Sequence, residues 1–171
     1  MDKSSEIIII IIAFAAGAAI GVGFYRYSPP PEAALAGMEM PEINDPSFVP
    51  ANVTILGNEL LISSGCAAIS FNVTDDQAYS IDMAASNMTA ARPLTHDIMI
   101  DVIGNFNISI MRVRIENYGN EIYYARTFLQ RSNQVLDIDM RPSDAVALAL
   151  RTGSVLYANK SMMSAYGTDI C

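Results

Sequence analysis

From Ala51 onward the chain breaks into short apolar runs whose period changes along its length. Val53 to Leu56 and Leu60 to Ser63 are split by Gly57-Asn58, and Ala67 to Val73 is a third such run. Runs this short, bounded by turn residues, predict strands. Thr74-Asp75-Asp76-Gln77 then has capping-box form, with a hydroxyl at the cap, an amide three residues on and acids in the first turn. The helix it predicts carries Ala78, Ile81, Ala84 and Ala85 as its inner stripe and ends near Asn87. Pro93 is read as opening a second helix at its first turn, where a missing N–H costs nothing. Ile98, Met99, Val102 and Ile103 are its expected buried face, and Gly104 its stop.

The period then falls to two. Met111, Val113 and Ile115 alternate with Arg112, Arg114 and Glu116, which predicts a half-buried strand within Ile108 to Glu116. Tyr118-Gly119-Asn120 reads as a turn and Ile122 to Gln130 as its hairpin partner. Val135 to Asp139 is a further strand, and Pro142 to Arg151 a third helix ending at Gly153. Val155 to Ala158 is a last short strand, and Ser161 to Tyr166 a final helical turn. Grouped strands with interspersed helices predict an α+β domain of mixed or antiparallel sheet with about three helices.

The N-terminal part follows a different pattern. Ile7 to Phe24 is an uncharged run of 18 residues, about 27 Å as a helix, close to a bilayer core. Residues 1–26 therefore read as a membrane anchor. A cleaved signal peptide is the other option, but the small residues Ala13 to Ala19 lie too early for a cleavage site. Residues 27–50 are Pro-rich and carry Glu32, Glu39, Glu42 and Asp45 with no base beyond Arg26. Proline and like charge predict an extended linker. Residues 51–171 form the domain proper, enough for one core.

Charge and modification motifs bear on location and partners. Lys3 and Arg26 flank the apolar run, so the positive-inside rule does not orient it. Five Asn-x-Ser/Thr triplets, at Asn52, Asn72, Asn87, Asn107 and Asn159, exceed what this composition gives by chance. Either they arise from chance in a polar-rich composition, or they are glycan acceptors that put the domain outside the cell, in an organism that N-glycosylates. Residues 51–171 hold 8 Lys and Arg against 12 Asp and Glu, a poor footprint for nucleic acid. Arg112, Arg114, Arg126 and Arg131 on the predicted hairpin offer either a local basic face or an ordinary solvated one. Cys66 and Cys171 either pair or stay as a buried hydrophobe and a frayed end. Neither has neighbours at zinc-ligand spacing.

Two runs share a design that speaks to chemistry: Arg92-Pro93-Leu94-Thr95-His96-Asp97 and Asp139-Met140-Arg141-Pro142-Ser143-Asp144. Each sets a cation, a proline, a hydroxyl and a carboxylate before an apolar helical stretch. In the second run Ser143 can cap the helix, and Asp139 and Asp144 can approach Arg141 from either side. The product is either a structural clasp or a carboxylate pair for a hard cation such as Mg²⁺ or Mn²⁺. The first run adds the chain's only histidine, whose pKa a helix N-terminus lowers. Arg92 offers bidentate phosphate binding.

These motifs carry a resemblance. Thr74 to Ala84, Arg92 to Asp97, Tyr124-Ala125 and Asp139 to Arg151 resemble the bifunctional nuclease domain family in order and spacing over most of residues 51–166. The resemblance implies an α+β fold and, for some members, hydrolysis of DNA and RNA in a site lined by these motifs. Gln77 departs from the family's usual Glu. The anchor, the linker and the glycan acceptors are not typical of it either.

Two functions are weighed. In the first, a membrane-anchored nuclease, Asp97, Asp139 and Asp144 hold the cation and His96 is the base. Arg92 and Arg141, with Thr95 and Ser143, grip the phosphate. In the second, an inactive surface-anchored scaffold uses the Tyr-rich hairpin at Tyr118, Tyr123 and Tyr124 for partner binding or self-association as a homo-oligomer.

Overall fold

Gly57, at φ +60°, turns strand β2 (Asn52–Leu56) back onto β3 (Glu59–Ser64). Gly65 turns β3 onto β4 (Ala67–Asn72) in the same way. The left-handed φ at both turns is one that glycine adopts without steric cost. The structure, a computed structural model, describes residues 45–171. The anchor at residues 7–24 and the linker as far as residue 44 lie outside the described residues. Among the described residues no helix is long and apolar enough to cross a membrane.

The domain is α+β, with four helices and two sheets. After β4 come helices α1 (Asp75–Ala85) and α2 (Thr95–Asn105). Strands β5 (Ser109–Gly119), β6 (Ile122–Arg131) and β7 (Gln134–Met140) form a meander leading into α3 (Pro142–Thr152). Strand β8 (Leu156–Asn159), helix α4 (Lys160–Tyr166) and strand β9 (Thr168–Asp169) close the chain. A four-stranded antiparallel sheet runs β2-β3-β4-β9. The five-stranded mixed sheet runs β1-β8-β5-β6-β7, where β1 is Phe48–Pro50 and β8 lies parallel to β5. Thus Phe48 to Pro50, assigned from sequence to the linker, form an edge strand on β8.

One core cluster draws on both sheets and on α3. Leu60, Ile62 and Ile69 of the small sheet and Val113, Ile115 and Ala125 of the large one share it with Ala145, Val146, Ala147 and Ala149. Helix α3 buries Ser143 and every residue from Ala145 to Ala149, more than one face. Small alanines suit such a helix because they let neighbouring backbones approach closely. Gly153 ends it in the left-handed conformation, at φ 66°. A disulfide joins Cys66 to Cys171 across 105 residues, where β9 pairs with β4.

Several expectations shift. Helix α2 starts at Thr95, not Pro93, because the Asp97 carboxylate accepts from the Leu94 N–H and makes Leu94 the cap. Its inner stripe is His96, Met99, Ile100 and Ile103, whereas Ile98 and Val102 are about half exposed. That stripe begins on a polar residue, so counting apolar residues alone rotates the helix by about one position. In α1, Ala85 is exposed and Ser80 and Met83 are buried. The β5–β6 turn is Asn120-Glu121, both at positive φ, which is the two-residue hairpin form; Gly119 still pairs with Ile122.

Candidate active site

The chemistry gathers where α1, α2 and α3 meet. Pro142 at the first position of α3 fixes the helix entry, and Arg141 is its cap residue. Asp144 therefore falls in the first turn, where its carboxylate complements the helix dipole. It accepts two bonds from Arg141, Nε to Oδ2 at 2.7 Å and Nη2 to Oδ1 at 3.1 Å. The Asp144 Oδ1 also lies 3.4 Å from His96 Nε2. On the far side of the ring, His96 Nδ1 lies 2.9 Å from the Ser80 Oγ of α1. Ser80 is buried. The imidazole is thus held at both nitrogens by two other helices.

The neighbouring residue does different work. Asp97 Oδ1 accepts from Arg151 Nε at 2.6 Å, and its Oδ2 accepts from the Leu94 N–H at 2.7 Å. Arg151 sits two turns after Asp144, on the same face of α3. Its Nη1 donates to the carbonyls of Ser80, at 3.0 Å, and Ala147, at 3.2 Å. Ser80 therefore joins both pairs, His96 through its hydroxyl and Arg151 through its carbonyl. The side chains of Arg151 and Asp97 are only 8% and 17% exposed, so this pair is shielded from water.

Electrostatics follow from these contacts. Burial pushes the His96 pKa below its usual 6.5, against the opposing pull of Asp144. Desolvation leads this lowering, with a smaller contribution in the same sense from Arg151. The Arg151 hydrogen bond holds Asp97 below the usual carboxylate value.

A cleft of about 520 Å³ opens over the His96–Asp144 pair. The first turns of all three helices line it, through Asp76 and Gln77, Thr95 and His96, and Arg141 and Asp144. Tyr79, Met99, Met140 and Leu148 supply its apolar walls. Helix N-termini favour anions, and Arg141 adds an exposed cation. Gln77 has a structural task as well. Its Oε1 accepts from the Thr74 N–H at 3.0 Å, and its own N–H donates to Thr74 Oγ1. Glutamine closes this box as glutamate would.

Other predicted site residues lie elsewhere. Asp139 is exposed on β7, paired in register with Arg126, and its strand neighbour Met140 takes the cleft-facing side. Successive strand residues point to opposite faces, so Asp139 points away from the cleft. Arg141 consequently pairs with Asp144 and not with Asp139. Arg92 is exposed and makes no hydrogen bond or ion pair among the described residues; it does not line the cleft. Ser143 is buried and is not the cap. Thr95 is exposed at the start of α2 and lines the cleft.

The three-carboxylate cation site is not assembled. Asp97 spends both oxygens on Arg151 and Leu94, Asp139 faces away, and Asp144 is clasped by Arg141. Among the described residues, the one group of three acidic, histidine or cysteine ligands within 4.8 Å is Cys66, Asp169 and Cys171. Its two sulfurs are joined in the disulfide and cannot ligate as thiolates. A divalent cation would find Asp144 as the only one of the three predicted carboxylates at the cleft. Ser80 and Arg151 escaped the sequence reading. The seven-residue step from Asp144 to Arg151 is a visible signal for the latter, and a lone serine in a mixed helix gives none.

Three of the four hairpin arginines are engaged by neighbours, and Arg131 is exposed at the end of β6. Arg114 is buried between the rings of Phe48 and Phe128, Arg112 lies over Tyr157, and Arg126 pairs with Asp137. Tyr118 and Tyr123 stack on one another, Tyr118 also on Tyr166 and Tyr123 on Phe71, in a partly buried cluster whose Tyr166 is exposed.

The bifunctional nuclease domain matches residues 60–170. An uncharacterized protein of Mycobacterium tuberculosis is 30% identical over 95 residues, covering 56% of this chain and 56% of that protein. Bifunctional nuclease 1 and bifunctional nuclease 2 of Arabidopsis thaliana are each 26% identical over 90 residues. Those matches cover 51% of this chain and 28% and 27% of the plant proteins. The chain thus spans about half the length of the mycobacterial relative and less of the plant ones.

Proposed function

This chain belongs to the bifunctional nuclease domain family, and from that premise we propose that it hydrolyses phosphodiester bonds of DNA or RNA in the cleft above His96. The observation that carries the reading is the imidazole held between Ser80 and Asp144 beneath three helix N-termini. Arg141 and the helix starts bind the phosphate. The ring moves the proton at Nε2. A serine hydroxyl both donates and accepts, so Ser80 supports either neutral tautomer. With Nδ1–H donating to Ser80, the Nε2 lone pair takes a proton from the attacking water, and the Nε2–H so formed faces the Asp144 carboxylate. With Ser80 donating to Nδ1, Nε2–H faces Asp144. The ring can therefore accept and return a proton without losing its inner hydrogen bond.

Asp97 and Arg151 hold the site in place; they do not contact substrate in this reading. The apolar run at residues 7–24 anchors the domain to a membrane.

The test uses the purified full-length chain with labelled single-stranded DNA and RNA, with and without chelator. Cleavage that His96→Ala reduces by about 10²–10⁴-fold is the expected result, the range for loss of a general acid–base group. No cleavage by wild type under any metal condition, or cleavage unaffected by His96→Ala, overturns the proposal.

A further inference from the structure

The five Asn-x-Ser/Thr triplets were read from the sequence as one set, but the fold separates them into two kinds. Asn87 and Asn107 each follow a helix and take positive φ, at 51° and 55°. Asparagine is one of the few residues that adopts that conformation readily, so each has a backbone reason to be asparagine. Asn159 caps α4, its Oδ1 accepting from the N–H groups of Ser161 and Met162. The fold accounts for all three.

Asn52 and Asn72 have no such reason. Both lie within strands, where asparagine is disfavoured. Both are exposed, and among the described residues neither side chain makes a hydrogen bond. Asn52 opposes Ser63, and Asn72 opposes Glu59, on the central strand β3. Ser63 and Glu59 are four residues apart and share one face of the pleat, so the two asparagines project from the same face. It is the outer face of the small sheet, opposite buried Leu60, Ile62 and Ile69. Thr54, the hydroxyl of the first triplet, is exposed on that face, and Thr74 of the second is exposed at the start of α1. The Cys66–Cys171 disulfide independently points to an oxidising compartment, where glycan transfer to exported chains also occurs.

We propose that Asn52 and Asn72 carry N-linked glycans, which cover the outer face of the small sheet. Transfer requires a membrane oligosaccharyltransferase and a lipid-phosphate-linked oligosaccharide. The asparagine Nδ2–H bond breaks and an Nδ2–C1 bond forms. The sugar C1–O bond to the lipid phosphate breaks, and the phosphate leaves with the electron pair. The amide proton passes to a base on the transferase. Strand β2 is an edge of its sheet, and a glycan at Asn52 also keeps that edge from pairing with another chain.

The full chain is purified from its native host, and its mass and peptide map are compared with the same chain made in a cytoplasm that lacks the transferase. Added sugar mass at Asn52 and Asn72 is expected. Thr54→Ala, which keeps the asparagine, loses one glycan, and Asn72→Gln loses the other. Unmodified Asn52 and Asn72 overturn the proposal, and so does sugar confined to Asn87, Asn107 or Asn159. Free Cys66 and Cys171 thiols, labelled in the native chain without reductant, would remove its second support and count against it.

Discussion

At the scale of the residue, the proposed chemistry turns on one ring. His96 is the chain's only histidine, and burial holds its pKa below 6.5 while Asp144, Asp97 and Arg151 act on it in opposing senses. A base of this kind works when neutral. On the proposed function, nuclease activity should be full above pH 6.5 and fall as pH drops through the lower folded pKa; a pH profile of kcat/KM reads this directly. Stability follows the same sign. The unfolded ring takes up a proton near pH 6.5 before the folded one does, so the stability that neutral His96 contributes is present above that pH and lost below it. Ser80→Ala removes the bond to Nδ1 and should lower kcat with little change in KM. Ser80→Thr keeps the hydroxyl and should restore much of the rate. Equal losses in both variants would point to packing of α1 as the cause.

At the scale of the element, α3 presents two acid–base pairs from one face, and they are not equivalent. Arg141 at its entry is 70% exposed, and an exposed pair contributes about 0–1 kcal/mol. Arg141→Ala should leave urea unfolding nearly unchanged while raising KM for nucleic acid. The pair of Arg151 and Asp97 is shielded, and removing one member strands a buried charge. Asp97→Asn should cost about 2–4 kcal/mol by urea unfolding, somewhat below the 3–5 of a fully buried pair. The wild-type contribution is present above pH 3.8 and lost as pH falls through the lowered Asp97 pKa, so the variant should lack that acid limb. If Asp97→Asn proves neutral in stability, the strut reading of Asp97 is wrong. A third element-level expectation concerns α1. Gln77→Glu keeps the capping box and should change stability by less than about 0.5 kcal/mol.

At the scale of the whole molecule, patterns local in sequence were legible and those made by tertiary contact were not. The hairpins, the α1 cap and the entry and stop of α3 follow from neighbouring residues. The orientation of α2 does not, because its inner stripe starts at His96 and depends on Ser80 and Asp144 from other helices. The motif Asp139 to Asp144 was visible, but the division of labour within it comes from the pleat of β7, which turns Asp139 away as Met140 faces the cleft. The cysteines show the same limit at the longest range. Their pairing was open in the sequence, and only the return of β9 to β4 brings them together. A crosslink closing a loop of 105 residues restricts the unfolded chain strongly, and typical disulfides contribute about 2–4 kcal/mol. Cys66→Ser/Cys171→Ser should therefore unfold at lower urea by about that amount. The cleft lies on the three helices, while the disulfide ties β9 and the C-terminus to the start of β4. The crosslinked and uncrosslinked proteins should then cleave nucleic acid with the same pH profile at temperatures where both are folded. A changed profile would show instead that the tie on the small sheet reaches the His96 environment.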